Sequence, residues 1–295
     1  MLIQYFARGY SYRVLLSLTV FYLSCSLSFA DISNQTNTNE INSAGAHFSW
    51  VIFNRLKPAL EKSKMRTINA HGKNSARGLG SDAAVKNALL YTQQKQRFGF
   101  ACCDLHPDEI NNNNLQVYPL AKEPLFIILN QSNPVNNLSL KQVREIFSGG
   151  ITNWSEVGGH DKPIVVVTRL HCKKRPEHWK TILPQAKEFR VERLNVHGAE
   201  DMIRTVHDMD DAIGHLGSTW TFTTADRIKP ITIDNVKPTA KNIELGKYPF
   251  YRTLSAVTKK GVGGEAIKLI KEIQQSKTFH DIASEYELLP MNSKK

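Results

Sequence analysis

The chain has 295 residues, of which 41% are hydrophobic and 22% are charged. That composition supports a buried core in one large domain or two modest ones, and it excludes a largely disordered chain. The formal net charge of +11 favours an anionic partner, although a solvated basic surface produces the same excess. Charge alone therefore selects no ligand.

The N-terminal 30 residues predict a secretory signal peptide. Arg8 and Arg13 precede an apolar stretch over 14–29, and small residues mark a cleavage site after Ala30. The apolar stretch is shorter than the ~20 residues that span a bilayer, so we expect an exported, periplasmic protein. Cys25 leaves a lipoprotein signal open as the alternative, although the residues before it fit that signal poorly.

The first half of the chain alternates between helix and strand patterns. Residues 31–43 are polar and have no period, which predicts a flexible segment that leads into the fold. The pattern then predicts a helix over 51–60, a strand over 65–70, a helix ending at Leu90, and strands over 97–103 and 115–129, the last broken at Pro124. A polar segment follows over 130–137.

The clearest helix signal in the sequence begins at Ser139. Ser139 and Gln142 have the spacing of a capping box, in which each side chain satisfies a free amide at the helix start. Apolar residues then recur at helical spacing, and Gly149 or Gly150 can adopt the left-handed conformation that ends a helix. These signals predict a short helix with one buried face and then a turn anchored by Trp154.

The second half of the chain continues the alternation. The apolar run 163–168 predicts a buried parallel strand that ends at Arg169. Further patterns predict helices over 176–189 and 199–207, a strand from Ala212, a strand over 248–258, and closing helices over 264–273 and 279–286. Repeated alternation of strands and helices argues for an α/β fold.

The stretch 138–159 reads LSLKQVREIFSGGITNWSEVGG and is followed by the strand PIVVV and then Arg169. This string resembles the second-lobe signature of the periplasmic phosphate-binding proteins of ABC importers. The run DAIGHLG, which ends at Gly217, is similar to a later strand of that lobe. The resemblance implies an α/β fold of the two-lobed type II periplasmic binding-protein class, with a ligand cleft between lobes joined by two crossings.

The resemblance also implies how the chain divides between the lobes. It places the N-terminal part of the first lobe at 44–130, the second lobe at 131–245, and the return to the first lobe at 246–295. One crossing is expected within 130–137 and the other within 226–247.

Three loops that precede helices carry the candidate ligand-binding residues, because free amides and the helix dipole favour an anion. In the resembled family these loops supply the amides and hydroxyls around phosphate. The candidates are His47, Phe48 and Ser49 in the first loop, Ser75, Arg77 and Gly78 in the second, and Arg169, His171, Cys172 and Lys173 in the third. Arg169 is the strongest, since a guanidinium can bind an oxyanion through two parallel hydrogen bonds. A structural ion pair is the alternative for it.

Asp104 and the cysteines complete the candidate set. A carboxylate such as Asp104 can accept the proton of phosphate, which distinguishes that ion from sulfate. The resemblance places Cys102 and Cys103 opposite Cys172 across the cleft, where an oxidising compartment permits a disulfide. Because such a tie restricts opening, we predict that Cys172 stays reduced. A redox or soft-metal site and inert buried thiols both stay open.

The resemblance implies an exported solute-binding protein that captures a small oxyanion, with phosphate as the default, and delivers it to an ABC permease. After Arg169 the family's Ser-Gly-Thr turn is replaced by Leu-His-Cys-Lys, so the identity of the oxyanion stays open. The alternatives are a ligand-sensing partner of a membrane signalling protein and a thiol- or soft-metal-binding variant. An enzyme is not expected, because Cys172 with His171 or His178 lacks a third, orienting residue. We expect no cofactor, no bound metal, no nucleic-acid partner and a monomer.

Overall fold

The computed structural model describes residues 40–64, 66–71, 80–223 and 228–291. The predicted signal peptide and Cys25 lie outside the described residues. None of the described helices is long and apolar enough to cross a membrane.

Strands and helices alternate along the first part of the described chain. They are β1 (Glu40–Gly45), α1 (Phe48–Val51), α2 (Phe53–Lys64), β2 (Thr67–His71), α3 (Gly80–Leu89), β3 (Gln96–Ala101), α4 (Pro107–Asn112) and β4 (Leu115–Asn130). The predicted helix and strand patterns before Pro124 are thereby confirmed in type, with ends shifted by a few residues.

The later elements begin with a short strand and end with one. They are β5 (Asn137–Leu138), α5 (Leu140–Ser148), β6 (Val165–Thr168), β7 (Leu194–Asn195), α6 (Ala199–Asp208), β8 (Ala212–Gly217), β9 (Ile228–Pro230), β10 (Thr232–Ile233), α7 (Ala240–Glu244), β11 (Tyr251–Lys259), α8 (Glu265–Gln275), α9 (Lys277–Glu285) and β12 (Leu289–Pro290).

Most strands join one mixed sheet with the order β2-β1-β3-β11-β4-β8-β6-β7. On one side β1 runs parallel to β2 and β3, and on the other β6 runs parallel to β7 and β8. Between these parallel groups β11 and β4 run antiparallel to each other. β9 and β12 also pair with β4, while β5 and β10 form a separate pair.

The long strand β4 connects two hydrophobic cores. It pairs with β11 as far as Pro124 and with β8 from Leu125 onward. Leu120 packs in a core with α2, α8 and α9, whereas Leu125 packs in a second core that contains Trp154. The fold is therefore the two-lobed α/β architecture that the sequence predicts.

The helix signal at Ser139 is confirmed in detail. The amide of Gln142 donates to Ser139 Oγ at 3.1 Å, and the amide of Ser139 donates to Gln142 Oε1 at 2.8 Å. Gly149 ends the helix with φ of 94°, a left-handed conformation that favours glycine. The buried Trp154 donates from Nε1 to the carbonyl of Asp211 at 2.8 Å, which anchors the following turn.

The strand pairing corrects the predicted crossing positions. Because β4 changes partner at Pro124, residues 125–129 already pack in the second core, and the segment 130–137 lies beyond the crossing. On the return, Phe250 still packs in the second core, beyond the predicted range 226–247. Pro124 does not break the strand, because a proline lacks an N–H and lies here at the residue where the pairing partner changes.

The predicted flexible segment also needs correction at its end. Residues 40–43 belong to β1, which is buried between β2 and β3. The polar character of Asn42 and Ser43 hid this strand, but Asn87 Nδ2 donates to the carbonyl of Asn42 at 3.2 Å. A Cβ on Gly45 would lie 2.2 Å from the carbonyl oxygen of Phe100, so the strand needs small residues.

The predicted helix over 176–189 is wrong. The structure has two short 3₁₀ turns instead, at His178–Thr181 and Ala186–Glu188. Pro184 lies between them, and a proline disfavours the α conformation in the residue before it. Glu177 and His178 also have positive φ values of 65° and 57°, which no α-helix accommodates.

Candidate functional site

A small cavity lies where β6 and β8 end, beside the crossing strand β11. We call it the basic cavity, defined by Arg169, His178, His215, Trp220 and Arg252. Arg169 directly follows β6, His215 lies in β8, and Arg252 lies in β11. The parallel strands β6 and β8 thus present both side chains at one edge of the sheet, where ligands bind in open α/β sheets.

Arg169 lines this cavity and carries a charge that no described carboxylate pairs with. Its Nε donates to the carbonyl of His197 at 2.9 Å, and its Nη1 lies 3.4 Å from Nε2 of His171. Within the described ranges no Asp or Glu forms an ion pair with it. Burial lowers the pKa of Arg169, because the charged form loses contact with water.

Arg252 differs from Arg169 because a buried carboxylate neutralises it. Its Nε donates to Oε2 of Glu123, and both residues are less than 5% exposed. The amide and the hydroxyl of Thr219 donate to Oε1 of Glu123 at 3.0 and 2.6 Å. Although burial disfavours its charge, Glu123 and the nearby thiols hold the pKa of Arg252 above its ordinary value. The Arg252–Glu123 pair thus forms one wall of the cavity and adds no net charge to the cavity.

Gly217 permits the close approach of this ion pair. A Cβ at that position would lie 2.6 Å from Nη2 of Arg252 and 2.6 Å from Oε1 of Glu123. Both contacts are shorter than real Cβ contacts, so a larger residue would displace the pair.

Two neutral histidines complete the polar lining. His178 is 4% exposed and His215 is 2% exposed, and their ring centroids lie 5.5 Å apart. Burial lowers the pKa of His215 to about 3 and lowers the pKa of His178 as well. Both ring nitrogens of His215 lack a hydrogen-bond partner in the described part of the chain, and so does Nδ1 of His178. A neutral imidazole offers one donor and one acceptor, so both rings can bind a partly protonated anion.

The first predicted loop reaches this site through His47. Its ring stacks on Trp220 with the centroids 3.3 Å apart, and Trp50 lies edge-on against it. Phe48 packs instead in the first core against Phe100. Ser49 is buried in α1, which has only four residues. The loop therefore does not lead into the long helix whose dipole was expected to favour an anion.

Of the remaining predicted residues that the structure describes, Lys173 and Asp104 do not line the basic cavity. Ser75, Arg77 and Gly78 lie outside the described residues. Lys173 lies on an open groove nearby. Burial and then the charge of Glu177 raise the pKa of Asp104 to about 6, so its neighbour is another carboxyl group. Asp104 is not among the residues that line the basic cavity, and its role as a proton acceptor stays a prediction.

Three predicted site residues, Cys103, His171 and Cys172, meet beside the cavity together with Cys102. We call these four residues the thiol cluster. One ligand atom from each of Cys102, Cys103 and His171 lies within 4.8 Å of the others. The thiol of Cys172 interacts with Cys103 and His171, and these hydrogen bonds outweigh burial and lower its pKa to about 5. All three cysteines are free thiols.

A loop of the second lobe crosses to the first lobe at the same place. Arg175 donates from Nε to Glu109 Oε2 at 2.9 Å and from Nη2 to Asp82 Oδ1 at 2.7 Å. Glu177 accepts from the amide of Thr253 at 2.6 Å. These contacts hold the loop 170–177 over the cleft.

Sequence reasoning missed Glu123, His215 and Arg252. His215 does leave a signal, because it is the one polar side chain in the otherwise apolar strand β8. Glu123 and Arg252 do not stand out in this way, since Lys122 adjoins Glu123 in β4 and Lys259 lies in β11 with Arg252. A buried charge needs a partner, but their pairing follows only from the register that places Arg252 opposite Glu123.

Comparisons with known proteins identify relatives of this chain and of its fold. The family described as a PBP superfamily domain matches residues 72–277. The phosphate-binding protein PstS of Bacillus subtilis is 32% identical over 149 residues, which is 50% of this chain and 47% of that protein. The match thus spans about half the length of that relative. PstS of Borreliella burgdorferi is 22% identical over 92% of this chain and 96% of that protein.

Solved structures show the same architecture. A protein from Clostridium perfringens, described as a phosphate ABC transporter substrate-binding protein and solved with bound phosphate, has a TM-score of 0.71. It is 25% identical and covers 86% of this chain and 100% of its own. An ABC-type phosphate transport receptor from Vibrio cholerae has a TM-score of 0.63 at 22% identity, covering 85% of this chain and 100% of its own.

Proposed function

Because this chain belongs to the PBP superfamily, we propose that it is an exported solute-binding protein that captures a small oxyanion for an ABC importer. Phosphate is the first candidate, since the relatives in Bacillus subtilis and Borreliella burgdorferi are phosphate-binding proteins and the Clostridium perfringens structure contains phosphate. We place the protein in the periplasm. No covalent chemistry is part of this function.

The observation that carries the proposal is the unbalanced charge of the basic cavity. Arg252 is neutralised by Glu123, whereas Arg169 has no ion-pair partner among the described residues. A half-buried cation without a counter-ion is costly, and a bound oxyanion reduces that cost. Hydrogen bonds to a charged group stabilise by about 1.5 to 3 kcal/mol each, so Arg169 alone can supply a large part of the affinity.

The two neutral histidines favour phosphate over sulfate. At neutral pH phosphate keeps a proton that it must donate, whereas sulfate has none. The unpartnered nitrogens of His215, within the described part of the chain, provide both a donor and an acceptor for a hydrogen phosphate ion. This arrangement takes over the role that the sequence assigns to Asp104.

Replacing Arg169 tests the proposal directly. We expect Arg169→Ala to bind phosphate at least tenfold more weakly, because a charged hydrogen bond contributes about 1.5 to 3 kcal/mol. The control is Arg204→Ala, which removes a side chain that is 71% exposed and pairs with Asp201 on the surface of α6. The phosphate affinity of the Arg204→Ala protein should match that of the wild type. Calorimetric titration with phosphate and with sulfate measures both affinities.

Two results would refute the oxyanion function. One is a wild-type protein that binds neither phosphate nor sulfate. The other is an Arg169→Ala protein with a native circular dichroism spectrum and unchanged phosphate affinity.

Finer features of the function are also part of the proposal. We assign 44–124 and 251–290 to the first lobe and 125–250 to the second, with a cleaved leader at 1–30. We infer an ABC permease as the membrane partner instead of a sensor, since the structural relatives are described as transport proteins. We also propose that the protein acts as a monomer, which light scattering checks.

A further inference from the structure

We propose that the thiol cluster binds a soft, thiophilic metal ion, with zinc(II) as the type ion, and that the bound ion joins the two lobes. Three thiols and one imidazole form a Cys₃His set, which is one of the ligand sets of tetrahedral zinc sites. The proposal concerns a ligand distinct from the oxyanion and rests on no part of the oxyanion function.

The positions of the ligand atoms fit such a site. Zinc–ligand distances of 2.0 to 2.3 Å in a tetrahedron place the ligands about 3.5 to 3.8 Å from one another. The candidate atoms of Cys102, Cys103 and His171 already lie within 4.8 Å of each other. Cys172 lies outside this group of three, but its thiol interacts with both Cys103 and His171. The three close atoms therefore carry the site, and Cys172 would have to move toward them to supply the fourth ligand.

The surroundings of the cluster resemble the outer shell of a metal site. Nδ1 of His171 lies 3.1 Å from the carbonyl oxygen of Arg169. A proton donated there leaves the lone pair on Nε2, and metal-binding histidines are usually fixed in this way. A metal ion on Nε2 would replace the contact with Nη1 of Arg169, which lies 3.4 Å from that atom. Oγ of Ser81 lies 3.7 Å from Sγ of Cys102 and accepts from the amide of Cys102 at 3.1 Å, so its hydroxyl proton can point to the sulfur.

The charge of a filled site would be balanced by the protein. Three thiolates and one zinc(II) ion carry a net charge of −1. Arg169 lies beside His171 and has no ion-pair partner in the described part of the chain. The same cation that favours an oxyanion in the basic cavity therefore also favours a loaded thiol cluster.

The ligands come from opposite lobes. Cys102 and Cys103 directly follow β3, whereas His171 and Cys172 belong to the loop after β6 that Arg175 attaches to the first lobe. A metal ion in the cluster would link two ligands of the first lobe to two of the second lobe at this point in the cleft. Opening would then require loss of the ion or of two ligands, so metal occupancy would control access to the basic cavity.

Cobalt(II) titration of the reduced, metal-free protein tests the site, with Cys25→Ser in every sample so that only the cluster cysteines remain. We expect one equivalent to produce a thiolate charge-transfer band and the strong visible bands of tetrahedral cobalt, and zinc(II) to displace it. Binding should release protons, because the ligands must be deprotonated. Zinc(II) should also raise the melting temperature, since it binds only the folded protein.

Substitutions assign the ligands. Cys103→Ser, Cys172→Ser and His171→Ala should each weaken cobalt binding at least tenfold and reduce the charge-transfer intensity in the two serine variants. The control His106→Ala removes an exposed histidine at the start of α4 and should bind like the wild type.

Absence of the tetrahedral bands in the wild type, or equal binding by the Cys172→Ser protein, would overturn the metal site. Circular dichroism confirms that each variant is folded before titration. Phosphate titration of the wild type in metal-free buffer reports separately on the oxyanion function. A protein that binds phosphate but no cobalt would refute only the metal site, and one that binds cobalt but no oxyanion would refute only the oxyanion function.

Discussion

The buried histidine in β8 predicts an unusual loss of stability in mild acid. Burial lowers the pKa of His215 to about 3 in the folded protein. In the unfolded chain a histidine has a pKa of about 6.5. Between these values the unfolded state binds a proton that the folded state does not bind, so the free energy of unfolding falls as the pH falls. The loss begins near pH 6.5 and continues toward pH 3.

The magnitude follows from the two pKa values. One pH unit inside this window corresponds to about 1.36 kcal/mol, and between pH 7 and pH 5 the integrated loss is about 2 kcal/mol for this single group. His215 is 2% exposed, so solvent screening does not reduce the effect much. The pKa of His178 is lowered too, mainly by burial and in part by His215, so replacing His215 also reduces the His178 contribution.

Urea unfolding at pH 7 and pH 5, without phosphate or metal, measures this effect. We expect the wild type to lose about 2 kcal/mol more than His215→Asn between the two pH values. The control Gly263→Ala, which changes no titratable group and adds a Cβ that meets nothing within 4 Å, should lose as much as the wild type. Equal losses by the wild type and His215→Asn would refute the reasoning, because the folded protein would then bind the proton at His215.

Two further predictions concern the crossing strands and the loop over the cleft. Gly217→Ala should destabilise the protein by about 1 to 3 kcal/mol, the cost of overpacking a core, whereas Gly263→Ala, where an added Cβ meets nothing within 4 Å, should change little. Thermal and urea unfolding compare the two, and equal stabilities would contradict the close approach at Gly217. Arg175→Met should weaken phosphate binding severalfold, because losing the contacts to Glu109 and Asp82 leaves the closed form less populated. An unchanged dissociation constant in calorimetry would show that these ion pairs do not affect closure.

Local signals in the sequence predicted the parts of the fold that local forces determine. Ser139 and Gln142 fix a helix start through bonds within four residues, and Gly149 fixes its end, so the sequence alone suffices there. The position of Arg169 at the end of β6 could be predicted for a similar reason, since it follows an apolar run that must be a buried strand.

Features that depend on distant partners were not predictable in this way. The strand at Glu40–Gly45 reads as polar, and it is buried only because β2 and β3 enclose it. Glu123 and Arg252 are 129 residues apart, and their pairing depends on the register between β4 and β11. The predicted helix over 176–189 failed because contacts of Glu177 with Thr253 in another strand determine its backbone.

β4 and β11 both run between the two lobes, and this determines the order in which the residues of the two hydrophobic cores are synthesised. Leu125 and Phe250 are joined by a backbone hydrogen bond of 2.9 Å, and the second core is built from the continuous stretch between them. The first core instead needs Ile41 near one end of the chain and Leu288 near the other. A chain that emerges N-terminus first therefore has every residue of the second core available while the first core still lacks α8 and α9. The first lobe therefore begins synthesis first but is the last to complete its core. Loss of α9 should expose the first core, whereas the second core would keep all of its residues.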